Sequence, residues 1–158
     1  MSQAQARIKA TSQMNDHRFL VVCCMLVIAA LLVVGAVSHG VIRHIVQTVP
    51  LWFAIVLGLR GSAWSKWTAL PCLFFWLIIM VFIWLFLLGW ARIITGTFSP
   101  IETAMTIVVG LASIAGLVKA FRIRTRVGWW KAMAVVVLLG ILQIVALRIS
   151  FLSAIAHR

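Results

Sequence analysis

The sequence predicts an all-α fold, a polytopic helical membrane protein with five transmembrane helices. Three observations carry that prediction. Leu70–Ala91 is a run of 22 residues with no charge and seven aromatics. At ~1.5 Å per residue, a helix of that length reaches roughly 33 Å, enough to cross a ~30 Å hydrocarbon core. A helix on a soluble domain would show water at least one polar stripe, and this segment has none. The composition agrees: the chain is 65% hydrophobic and 10% charged, with a mean hydropathy of +1.17, whereas soluble domains carry about a quarter charged residues. The third observation is where the charges lie. Fourteen Lys and Arg face only two carboxylates, Asp16 and Glu102, for a net charge of +12. The bases sit in short segments between apolar runs, as orientation signals do, which argues against nucleic acid as a partner and for the lipid bilayer.

Residues 1–18 are polar and carry Arg7, Lys9 and Arg18. They read as a short cytoplasmic tail, and residues 19–158 as a single membrane domain. Phe19–Val37 is the first span. Its end, Ala36-Val37-Ser38, resembles a signal cleavage site, but the apolar run exceeds the ~7–15 residues of a signal core, so a retained span is expected.

The second span, Val41–Leu59, has the weakest pattern, because Gln47, Thr48 and Pro50 interrupt it. Pro50 lacks the N–H that would bond the Val46 carbonyl, and a re-entrant loop competes with a kinked crossing. Charge favours crossing. With five spans, one side holds ten bases: Arg7, Lys9, Arg18, Arg60, Lys66, Lys119, Arg122, Arg124, Arg126 and Lys131. The other holds four: Arg43, Arg92, Arg148 and Arg158. Without that crossing the split falls to eight against six, and the larger asymmetry obeys the positive-inside rule. The expected orientation has the N-terminus in the cytoplasm and the C-terminus outside, in a bacterial inner (cytoplasmic) membrane.

The third span is Leu70–Ala91. Ser99-Pro100-Ile101-Glu102 then spells an N-cap, a first-turn proline and an acidic N3, so the fourth span is expected over Pro100–Ala120. After the basic loop Lys119–Lys131, the fifth runs over Ala132–Ile155. Ala112, Gly116 and Ala120 repeat at four-residue spacing, the small-residue face that lets membrane helices approach closely. That pattern expects helix four inside the bundle and the bulky helix three mostly against lipid. Trp64, Trp67, Trp129 and Trp130 mark an aromatic belt at the basic side.

Candidate chemistry is sparse. Glu102 opens helix four, and Arg148 lies about 24 Å along the last span, so both are expected at the same outer level as Arg43 and Arg92. An outer polar cluster of Glu102, Arg148, Arg92, Arg43, His39 and His44 would suit an ion, an anion or a partner. The competing structural reading keeps Glu102 on its own helix N-terminus and lets Arg148 snorkel to the interface, and it is favoured. His39 and His44 are five apart, which does not put them on one helical face, so no metal or haem pair is expected. Cys23, Cys24 and Cys72 share a depth, yet without a CxxC motif they read as small hydrophobes. Lys119, Arg122, Arg124, Arg126 and Lys131 form an expected anionic-lipid contact. Gln143, mid-span, is placed to hydrogen-bond a neighbouring helix.

No nucleotide, hydrolase or metalloprotease motif occurs, and two carboxylates leave little for acid–base work. The expectation is a non-enzymatic chain with no cofactor, an accessory or assembly subunit packing with other membrane proteins. The alternative is a homo-oligomeric transporter or channel for ions or small solutes, gated around Glu102 and Arg148.

Overall fold

The computed structural model describes residues 3–91 and 98–152, without the side chains of residues 4 and 6–12. It is all helical. The helices are α1 (Gln3–Val37), α2 (Val41–Leu59), α3 (Ser65–Leu87), α4 (Pro100–Arg122) and α5 (Trp129–Ser150). All five are long and apolar enough to cross a membrane, and α2 has the lowest hydropathy of them. The 35-residue α1 carries the polar tail and the first span as one continuous helix. Apolar side chains on the outer faces, such as Trp52, Phe53, Phe74, Leu111 and Ile141, are exposed and meet lipid in a bilayer.

Each helix runs the length of the bundle, so its two ends are distinct. The basic end gathers the start of the first span, the α2–α3 turn and the α4–α5 connection. The far end gathers the α1–α2 turn, the start of α4 and the end of α5. Segment 41–59 is a single helix between these ends despite Pro50, so the re-entrant alternative is set aside. Five of the predicted boundaries of the last three spans shift. α3 begins at Ser65 with Pro71 inside it, because the polar residues before Leu70 still close helical turns. α3 ends at Leu87, since Gly89 takes φ +74 and closes the helix. There Gly89 N–H donates to the Phe86 carbonyl at 3.0 Å and Trp90 N–H to that of Leu85 at 2.9 Å, a glycine C-terminal motif that satisfies otherwise orphan carbonyls. α4 reaches Arg122, and α5 starts at Trp129 and stops at Ser150.

Going round the bundle, the neighbours run α1, α2, α5, α3, α4 and back to α1. Among the described residues α3 touches every other helix, whereas α4 packs only on α1 and α3. α4 is therefore not the interior helix expected, whereas α3, though it touches every other helix, keeps most of its surface toward lipid as expected. Side-chain bulk is a poor guide here because α3 is two-sided: Ser65, Ala69, Cys72, Leu73, Trp76 and Met80 are buried, and Phe74 and Val81 face outward. The small residues of α4 do form its inner face. A Cβ on Gly116 would come within 2.7 Å of Leu73 Cδ1 and 3.2 Å of Cys23 Cβ. Ala112 and Ala120 are buried beside it, while Ile107, Leu111, Val118 and Phe121 look out.

Candidate functional site

The polar residues of α2 fall on one face. Arg43, His44 and Gln47 are three and four apart, so helical geometry stacks them on adjoining turns. Gly40 starts the helix after the tight α1–α2 turn, in which His39 takes φ 55. His39 is exposed at that turn, whereas His44 is 9% exposed and turned into the bundle. Gly35 of α1 makes room for the His44 ring, because a Cβ there would lie 2.9 Å from His44 Cδ2.

The inward face opens on a cavity of about 400 Å³ at the far end. That is within the range of small-molecule sites. Arg43, His44, Gln47, Glu102 and Thr106 supply its polar edge, and Leu31, Ile79, Met80, Ile83 and Val109 supply apolar wall. Trp76 of α3 also lines it and is 3% exposed. Three nitrogens around this space are buried and have no protein hydrogen-bond partner: Arg43 Nε, His44 Nδ1 and Trp76 Nε1. Buried donors without partners cost free energy, and most native structures hold few of them. Arg43 Nε and Trp76 Nε1 are donors only, whereas His44 Nδ1 donates or accepts according to its tautomer, and all three residues line the one cavity.

Glu102 has a defined job on its own helix. Its carboxylate accepts from the Ser99 N–H at 2.7 Å, and the Ser99 hydroxyl accepts from the Glu102 N–H at 3.2 Å. This capping box puts negative charge where the α4 dipole is positive. Arg43 and Glu102 therefore line one cavity without forming an ion pair; among the described residues the ion pair is Lys119–Asp16, at 2.7 Å. The Arg43 guanidinium lies 4.3 Å from the centre of the Phe151 ring, a cation–π contact that holds it in place without neutralising it.

Of the expected outer cluster, the structure brings together Arg43, His44 and Glu102. Arg148 is exposed on α5 and does not line the cavity, and Arg92 lies outside the described residues. α4 and α5 share no contact among the described residues, although they are consecutive. The reason is the connection between them. Lys66 donates to the Ile123 carbonyl at 3.0 Å and Trp67 Nε1 to Thr125 Oγ1 at 3.1 Å. These bonds carry residues 123–128 across the start of α3, which then separates the two helices. Leu147 and Phe151 are what α5 brings to the cavity.

Beside the cavity, α2 and α5 are joined by a polar seam. Gln143 Nε2 donates to the Gln47 carbonyl at 3.0 Å, and Gln47 Nε2 donates to Ser150 Oγ at 2.8 Å. The expected interhelical bond from Gln143 is thus present, and its Oε1 is buried without a partner. Cys23, Cys24 and Cys72 are buried thiols in the apolar packing. At the basic end Lys119 is taken up by Asp16, while Arg122, Arg124, Arg126 and Lys131 are exposed beside Trp129 and Trp130.

Sequence reasoning missed Gln47, Trp76 and Thr106 as cavity residues. For Gln47 the signal was available in its spacing from Arg43 and His44. Trp76 offered none, since one tryptophan among the bulky residues of α3 points nowhere in particular until the helix is placed. Compared with protein-family models, with curated proteins and with solved structures, the chain matches none. What its own geometry establishes is a five-helix polytopic membrane protein with a polar-edged cavity at one end.

Proposed function

We propose that this chain is a non-catalytic membrane subunit that holds a small amphipathic molecule inside its bundle, working alongside other membrane proteins. The observation that carries the reading is the far-end cavity, apolar on its walls, with three buried nitrogens lacking partners. Amphiphiles match such a space: the tail replaces solvent against Leu31 and Ile83, and the head supplies acceptors. The alternative of a homo-oligomeric transporter drew on a polar cluster shared between copies. Arg43, His44 and Glu102 instead line a cavity within one chain, which favours binding by a single copy.

Purification in mild detergent, followed by solvent extraction and mass spectrometry, tests this. The expected result is one amphiphile class near one molecule per chain, enriched over an unrelated membrane protein handled identically. Ile83→Trp, which fills the cavity, should remove it and leave co-purifying proteins unchanged. Bulk lipid alone in both samples would overturn the reading.

The proposal includes orientation, with the basic end in the cytoplasm and the cavity in the outer half of the membrane. Its support is the ten-to-four division of bases and the positive-inside rule. A reporter active only outside should be active when fused at Arg158 and silent when inserted near Arg124; the reverse pattern would invert the orientation.

A further inference from the structure

We infer that the cavity selects an amphiphile with an anionic head, a carboxylate or a phosphate on a single apolar chain, and that Arg43 and Trp76 are the residues that choose it. The inference rests on the binding role proposed above and adds the chemical class of the ligand. Its basis is electrostatic and geometric. Trp76 Nε1 and Arg43 Nε are donors only, so the head must present oxygens as acceptors. Arg43 is always charged, yet no carboxylate among the described residues pairs with it. The guanidinium carbon lies 4.3 Å from the Phe151 ring centre, and the Arg43 side chain lines the cavity with its Nε–H lacking a protein partner. A guanidinium edge matches carboxylate and phosphate, where two oxygens lie side by side.

Among the described residues Glu102 is the one carboxylate on this wall. Its carboxylate is already committed to the Ser99 N–H and the start of α4, so the uncompensated charge of the cavity is that of Arg43. A cationic head would leave the half-buried Arg43 unpaired, which is the costlier arrangement. A neutral alcohol would serve one donor and leave the charge uncancelled. Beside the polar edge, Leu31, Ile79, Met80 and Ile83 give the chain an apolar wall, as partition of a tail out of water requires.

The test uses the full chain in nanodiscs of zwitterionic phosphatidylcholine, with tritiated dodecanoate as the probe at a pH that keeps it ionised. Saturable binding near one per chain is expected, with unlabelled dodecanoate or dodecyl phosphate competing, and the stronger of the two identifies the head. Dodecanol and dodecyltrimethylammonium should compete at least about tenfold less well, the factor a charged hydrogen bond carries. Arg43→Gln and Trp76→Phe should each weaken binding by about tenfold, and Arg43→Lys by less, while Arg148→Gln, an exposed position that does not line the cavity, should leave it unchanged. Two independent variants keep the test usable if one misfolds. Equal competition by dodecanol, or full binding by Arg43→Gln, would overturn the anionic head while sparing the amphiphile cavity. Absence of saturable binding by every probe would overturn both.

Discussion

Among the described residues, the buried polar side chains at the basic end of the bundle have found partners, and at the far end several have not. His17 Nδ1 and Ser65 Oγ share a buried hydrogen bond of 2.8 Å, tying α1 to the start of α3. Lys119 reaches Asp16 at 2.7 Å and lies 5.4 Å from the Phe19 ring, tying α4 to α1. Lys66 and Trp67 pin the α4–α5 connection. Glycines close the remaining gaps: a Cβ on Gly58 would strike Val21 Cγ2, and one on Gly116 would crowd Leu73 and Cys23. Among the described residues the far end has one tight glycine, Gly35, and otherwise opens into the cavity. The contrast separates two tasks. Between membrane helices there is little hydrophobic drive, so close packing and hydrogen bonds must hold the bundle. Concentrating them at one end lets the other stay hollow and incompletely bonded, as the proposed binding role would require.

The largest effect should come from the tight end. Gly116→Leu places a branched side chain where even a Cβ meets Leu73 and Cys23, and both neighbours are buried. Overpacking of that kind costs about 1–3 kcal/mol or more. Thermal unfolding in detergent should show a clear loss of stability for Gly116→Leu. Phe82→Leu, on a partly exposed position of α3, should fall well short of it. Equal losses would mean that the two ends are not packed differently, and the division of labour would go with them.

Much of this architecture was legible in the chain. The five spans follow from apolar length and the placement of bases, and α2 runs over the predicted Val41–Leu59. The start of α4 was readable to the atom pair, because Ser99, Pro100 and Glu102 act within one turn and need no tertiary context. Boundaries moved where a local device decided them, as Gly89 did for α3. The site was legible only in halves. Arg43, His44 and Gln47 share a face by period alone, but which face of α3 and α4 they meet depends on the route of residues 123–128. That route is set by side-chain hydrogen bonds from Lys66 and Trp67, more than fifty residues away in sequence. Spacing carries no record of such bonds. The depth argument therefore gave Glu102 and Arg148 the same level and missed that α3 stands between their helices.

The smallest expected effect bears on that point. Matched depth and sequence adjacency predict that Glu102 and Arg148 are neighbours, whereas the bundle keeps α4 and α5 apart. A double-mutant cycle on stability separates these cases, since contacting charges couple and distant ones add. Glu102→Gln keeps an acceptor for the Ser99 N–H but removes the charge that favours the helix N-terminus, a loss of about 0.3–1 kcal/mol. Arg148→Gln changes an exposed side chain and should lie within about 0.5 kcal/mol of the parent. The double variant should equal the sum of the two within about 0.5 kcal/mol. Coupling above about 1 kcal/mol would bring the two helices together. It would displace α3 from between them and require a different set of walls for the cavity.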